Sequence, residues 1–234
     1  MDRTLKALSL ILSYPTQELQ DAMAEIAGVI GADRRLTAQA RRDLRPLLEE
    51  MRANDIYDLE ERYVVLFDRS RTLSLNLFEH VHGESRDRGG AMVSLVETYR
   101  AGGFEPATAE LPDHLPVLLE FLSLRPAPEA QQILADAAHI LEALRTRLTR
   151  RDSSYAPVFA ALLQLSGAKA DREAVAGLLE TPESDPEDLE ALDEVWAESE
   201  VRFGPDPNAG CPQAREMLAQ MDLPPGRAPG VATV

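Results

Sequence analysis

Three short runs of this 234-residue chain hold most of the side chains whose types and spacing could do chemistry. They are Leu66-Phe67-Asp68-Arg69, the dense run Leu77-Phe78-Glu79-His80-Val81-His82-Gly83-Glu84-Ser85-Arg86-Asp87-Arg88-Gly89, and Glu110-Leu111-Pro112-Asp113-His114-Leu115-Pro116. Large apolar residues, two histidines and alternating acid and base in one segment are unusual for a solvated linker. They suit a packed surface whose charges hold a loop or bind a partner. Metal binding is one chemistry open to Glu79, His80, His82 and Glu84, since imidazole and carboxylate both ligate transition metals. The spacing argues against it, because residues two apart point to opposite sides of a helix and share a side only in a strand. A charge network in which Arg86 or Arg88 pairs with Asp68, Glu79 or Glu84 accounts for the same residues without a metal. In the third run, Asp113 is placed to cap the helix that follows, and His114 to sit in its first turn, where the positive end of the helix dipole disfavours imidazolium. The adjacent His-Asp of metal phosphohydrolases appears here in reverse order, and His139 lies off the apolar stripe of its helix. No Gly-rich phosphate loop, nucleophile elbow or CxxC pair precedes a helix. No catalytic residue and no metal ligand is therefore assigned. The enzymatic alternative is a helical metal-dependent hydrolase using His80, His82, Glu84 and His114.

The elements that must position these residues read almost entirely as helix. Leu5, Leu8, Ile11 and Leu12 begin a short helix that Pro15 stops. Thr16 is an N-cap for a second helix, with Leu19, Met23, Ile26 and Ile30 on one face before Gly31. A third is expected from about Thr37 to Met51, kinked near Pro46, and a fourth from about Asp55 to Phe67. A fifth follows Gly89-Gly90 and ends at Gly102-Gly103. The strongest runs from about Glu129 to Arg150, started by Pro128, with arginines at its C-terminal end. Further helices are predicted at about 156–165, 172–179 and 186–201. Leu73, Leu75 and Leu77 alternate like a strand but have no second strand to pair with, so the run is assigned to a helix or a packed loop. The expectation is an all-α protein: one helical bundle domain of about eight to ten helices over residues 1–203. Residues 204–234, rich in Pro and Gly, read as a mobile tail with one short helix around Met217.

Composition bounds the function. Hydrophobic residues at 44% supply a core, and the net charge of -16 disfavours nucleic acid and anionic membrane, whose phosphates need clustered Lys and Arg. From Glu180 to Glu200 there are ten acids and no base, so the rest of the chain is only mildly acidic. That stretch reads first as a solvated helix face, and otherwise as a docking surface for basic segments or an autoinhibitory mimic of an anionic partner. A single cysteine, Cys211, allows no intramolecular disulfide and no multi-cysteine metal site within the chain. The first residues lack the features of a signal peptide, and no stretch approaches the ~20 apolar residues of a membrane span. A soluble, cytoplasmic protein without direct membrane insertion is expected.

Several of these segments together resemble the nitrate reductase delta-subunit (NarJ-like) chaperones. The resemblance rests on Leu12-Ser13-Tyr14-Pro15, Leu66 to Arg69, Ser74 to Gly89 with Ala91-Met92-Val93, Glu110 to Pro116, and Ala191-Leu192-Asp193 with Val195-Trp196. It implies an all-α fold related to the chaperones of trimethylamine N-oxide and dimethyl sulfoxide reductases. It also implies binding of the apo catalytic subunit, including its N-terminal segment, and a role in inserting the molybdenum cofactor and in iron-sulfur maturation, without catalysis and without a stably bound cofactor. Cofactor-biosynthesis proteins are further expected partners. The expected recognition lays an amphipathic client segment between helices. Leu66, Phe67, Leu77 and Phe78 are the expected apolar walls, and Asp68, Glu79 and Glu84 the acids that meet a basic client residue. His80, His82, Arg86, Arg88, Asp113 and His114 are motif residues for structural, client-binding or pH-sensitive roles. A generic helical adaptor is the non-enzymatic alternative.

Overall fold

Local capping chemistry starts five of the described helices. The Asp2 carboxylate accepts from the amides of Thr4 and Leu5 to begin α1 (Arg3–Ile11). Thr16 caps α2 (Gln17–Asp21) through the Leu19 amide, and Thr37 caps α4 (Ala38–Asp43) through Ala40. Asp55 and Asp171 do the same for α6 (Ile56–Tyr63) and α13 (Arg172–Leu179). In this computed structural model the described residues are 1–83 and 86–182, the Arg86 side chain excepted. Among them every regular element is helical: α3 (Met23–Ala32), α5 (Arg45–Ala53), α7 (Leu77–His82), α8 (Arg86–Ala101), α9 (Leu115–Ser123), α10 (Ala127–Asp136), α11 (Ala138–Arg150) and α12 (Ala156–Ser166) complete the set. None is long and apolar enough to cross a membrane. The helix predicted at 186–201, nearly all of the acidic stretch, Glu84, Cys211 and residues 204–234 lie outside the described residues.

Three predicted helices are each divided in two. Ala22 separates α2 from α3 and Ala137 separates α10 from α11, with ψ of -7° and 0°. There the chain tightens to hydrogen bonds three residues apart, Ala22 N–H to Leu19 O and Ile140 N–H to Ala137 O. Leu44 divides α4 from α5, so the helix breaks near Pro46 as expected and the proline sits in a first turn where its missing N–H costs nothing. The helix expected after Gly89-Gly90 already begins at Arg86 and runs through both glycines. At its end Gly102 is required by packing: a Cβ there would come within 2.6 Å of the Phe121 ring. Gly103, at φ +70°, then turns the chain away.

The core forms around α9, buried on nearly every side by Leu115, Val117, Leu118, Leu119, Phe121 and Leu122. Helix α1 packs along it, α3 and α5 follow from α1, and α10, α11 and α12 make the second half, with α13 against α11. Arg147 of α11 is 2% exposed and donates to the carbonyls of Thr72, Leu178 and Thr181. This buried guanidinium therefore ties α11, the end of α13 and the tight turn Arg71–Leu73 together. From sequence it looked like one of several arginines serving a helix C-terminus.

Candidate functional site

The Leu73-Leu75-Leu77 alternation does find a partner. Leu75 O accepts from Leu115 N–H at 2.8 Å, and Leu77 N–H donates to Asp113 O at 3.1 Å, making one antiparallel bridge between Asn76 and His114. Two sequence motifs that lie 35 residues apart are thereby joined side by side. Asp113 completes the junction differently from expectation. Its carboxylate does not cap α9, whose N-cap position is taken by His114 without a side-chain bond. It accepts instead from the Phe78 amide at 2.9 Å, in the first turn of α7, whose own N-cap residue Asn76 makes no capping bond. Asp113 thus caps a helix distant in sequence. Its residue is 0% exposed, and burial holds the carboxyl above the usual carboxylate range against the opposing pull of the Phe78 amide and Arg88. Tyr99 of α8 secures the same segment, its hydroxyl donating to Pro112 O at 2.6 Å and its ring packed on Phe104 and Phe121.

Asp68 is positioned by an unusual turn. The end of α6 widens into a π-helical turn, Val64–Asp68, closed by Arg69 N–H to Val64 O at 2.9 Å. The wider turn leaves Phe67 inward, in a row of ring contacts from Tyr14 to Tyr63, Phe67 and Tyr155 with centroids 5.1–5.5 Å apart. Asp68 faces outward. Tyr63 is held in the row by its hydroxyl, which donates to Leu12 O at 3.0 Å.

On one side of the bridge lies a cleft of about 370 Å³ lined by Tyr14, Tyr63, Asp68, Glu110, His114 and Glu120 among others. Glu120 is paired with Lys6, whereas Asp68 and Glu110 have no cationic partner among the described residues. Burial, with the charge of Glu110 added, holds the Asp68 carboxyl above its ordinary value. Burial lowers the His114 imidazole, with Glu110 opposing, and its Nδ1 is buried without a hydrogen-bond partner. The cleft therefore offers two uncompensated carboxylates beside an aromatic edge and a neutral imidazole.

A second cavity, about 420 Å³, is lined by Arg71, Glu79, His80 and Arg147. Glu79 pairs with Arg71 at 3.5 Å, where the sequence had suggested Arg86 or Arg88. The His80 Nε2–H donates to Ser74 O at 2.8 Å, and burial lowers this imidazole, aided by Arg147. Among the described residues no three His, Cys, Asp or Glu side chains gather as a metal would require. His82 instead meets the Phe78 ring edge-on at 5.8 Å.

The expected binding residues are thus not assembled on one wall. Asp68 and His114 share the first cleft, and Glu79 and His80 the second. Leu66, Phe67 and Leu77 are buried in the core, and Phe78 is half-buried and lines neither space. Arg88 is half-buried within field range of Asp113. Glu110, Tyr14 and Tyr99, to which the sequence analysis gave no site role, belong to the junction. Glu110 and Tyr14 stand inside the motif runs and Tyr99 on the helix expected after Gly89-Gly90, but their partners were not visible.

A family model described as nitrate reductase delta subunit matches residues 33–161, a span that contains the π turn, the bridge, and Asp68, Glu79, His80, Glu110 and His114 of the two cavities. The chain belongs to that family. It is 41% identical over 206 residues to the nitrate reductase molybdenum cofactor assembly chaperone NarJ of Escherichia coli K12, covering 88% of this chain and 87% of the relative. A probable chaperone of the same description, NarW of the same organism, is 37% identical over 88% of this chain and 86% of its own length. Among solved structures, a candidate redox enzyme maturation protein from Archaeoglobus fulgidus superposes with a TM-score of 0.52 at 25% identity, covering 70% of this chain and 92% of that one.

Proposed function

We propose that this chain is an assembly chaperone dedicated to a respiratory nitrate reductase. It binds the apo catalytic subunit, including its N-terminal segment, assists insertion of the molybdenum cofactor before membrane assembly, and then leaves the finished enzyme. The chaperone role is supported by the names of the relatives that cover most of the chain. The single observation that carries the client-binding part is the first cleft. Its carboxylates Asp68 and Glu110 lack a cation among the described residues, and the Asp68 carboxyl is held above its ordinary value beside Glu110.

A basic residue of the client seats between Asp68 and Glu110, and an adjoining apolar residue lies against Tyr14. His114, neutral at pH 7, adds no repulsion. Leu66, Phe67 and Leu77 support the surface from the core, and Phe78 and Glu79, away from this cleft, are a separate candidate contact. Two or three apolar anchors at ~1.5–3 kcal/mol each, less ~2–5 kcal/mol for ordering the segment, leave an affinity weak enough for release. The chain handles the molybdenum cofactor through its client and holds no resident cofactor of its own. Cofactor-biosynthesis proteins are the further partners of the loaded complex.

The test is calorimetric titration with a peptide of the first ~15 residues of the cognate catalytic subunit, beside a scrambled peptide. Saturable micromolar binding of the native peptide alone is expected, weakened about tenfold by Asp68→Asn with Glu110→Gln. Equal binding of the scrambled peptide, or binding indifferent to both substitutions, would overturn the reading.

A further inference from the structure

A groove of about 760 Å³ between α3 and the α4–α5 pair shares no lining residue with either motif cavity. Its floor is apolar and low, made by Met23, Ala24, Ala27 and Ile30 of α3. Its rim is cationic: Arg41, Arg42, Arg45 and Arg52 line it, with Glu49 the one carboxylate among the lining residues. In a chain of net charge -16 such a concentration of one sign is the reverse of the average surface. Arg41 closes one end by donating to the carbonyls of Gly31 and Asp33 at 3.2 Å, and Arg42 is engaged by Gln39. Arg45 and Arg52 are exposed and have no carboxylate partner among the described residues.

We propose that this groove docks a carboxylate-rich amphipathic segment of a partner protein, independently of the client cleft at Asp68. The geometry selects that occupant over a free anion. Arg45 and Arg52 stand seven residues apart on one helix, about 10 Å along its axis, and Arg41 lies further still. Cations strung along a rim match carboxylates repeated along a segment, whereas a single phosphate calls for convergent donors. The apolar floor supplies the burial that a small anion cannot use. Gly31 reinforces this reading: it is exposed at the groove's edge, and a Cβ there would meet nothing within 4 Å, so the space is not consumed by the protein's own packing.

The probe is a synthetic helical peptide of about four turns, with glutamates and leucines on adjoining faces, and a glutamine-for-glutamate twin. Fluorescence anisotropy on the full chain is expected to show salt-sensitive binding of the glutamate peptide and at least about tenfold weaker binding of the twin. Arg45→Glu with Arg52→Glu should weaken the glutamate peptide about tenfold. Gly31→Phe should block it, since the ring enters the groove from an unstrained helical position. Far-UV circular dichroism verifies that both variants fold, and Asp68→Asn should leave this binding untouched, which separates it from the client site. Three results overturn the proposal: no preference for glutamate over glutamine, displacement of the peptide by inorganic phosphate beyond that caused by chloride at the same ionic strength, or self-association of the wild-type chain that Arg45→Glu abolishes. The last would make a second copy the occupant.

Discussion

Replacing Asp113 by alanine removes the acceptor of the Phe78 amide and leaves the first turn of α7 uncapped beside the bridge to His114. A lost cap or an unsatisfied partly buried amide costs about 1–3 kcal/mol. Against this, the variant also removes a fully buried carboxyl whose charged form burial disfavours, so the net loss at pH 7 is expected near the lower half of that range, about 1–2 kcal/mol. With a urea m-value of about 2–3 kcal/mol/M, the unfolding midpoint should fall by about 0.3–1 M at unchanged slope. Because the native carboxyl lies above its ordinary value, folding favours its protonated form. Its stability contribution is fully present below the ordinary carboxylate pKa and is lost as pH rises through the native value. The gap between wild type and Asp113→Ala should therefore widen on acidification. Asp113→Asn keeps an acceptor for Phe78 and should stay within about 1 kcal/mol of wild type, with the pH dependence gone. Urea unfolding followed at 222 nm at pH 5 and pH 7 gives all three numbers. An alanine variant as stable as wild type would refute the cap, and an asparagine variant as damaged as alanine would show that the charge, through Arg88, is what matters.

Phe67→Ala empties a site that is 4% exposed between Tyr63 and Tyr155 and should cost about 3–5 kcal/mol, whereas Phe78→Ala, half-buried, should cost about 1 kcal/mol; denaturant midpoints separate them. Arg35→Ala breaks the hydrogen bonds that hold Asp33 at about 2, so it should lower stability by up to about 1 kcal/mol at neutral pH. That contribution is present above the ordinary carboxylate pKa and lost as pH falls through about 2, so the two proteins should converge there in thermal or urea unfolding. Arg147→Met strands the carbonyls of Thr72 and Leu178; hydrogen exchange should accelerate first across residues 172–182, and uniform acceleration over all helices would argue against a local tie.

Much of the architecture was legible because its signals are local. Apolar spacing of three and four marks helices, and Thr16 caps α2 as its position predicts. Gly167, at φ +65°, closes α12, and Gly102-Gly103 ends α8. The motif runs were also recognisable as runs, because acids, histidines and bulky apolar residues stand where amphipathicity alone would not put them. What failed were boundaries set by tightening turns at Ala22, Leu44 and Ala137, which carry no glycine of their own to announce them. The interruption expected near Pro46 falls at Leu44, since whether a proline interrupts a helix or opens one depends on where the preceding helix stops.

The sequence by itself determined that the chain is helical, where most helices begin, and which residues are chemically out of the ordinary. Only the tertiary structure decided what those residues do. It joined the leucine run to residues 113–115 through a single bridge, sent the Asp113 carboxylate to a helix 35 residues away, buried Arg147 as a clamp on Thr72 75 residues away, and divided the motif acids between two cavities. The physical reason is that capping and periodicity are settled within one or two turns of chain. A buried polar group must instead find its partner wherever packing brings one within hydrogen-bond reach, and that distance is not written in the neighbouring residues.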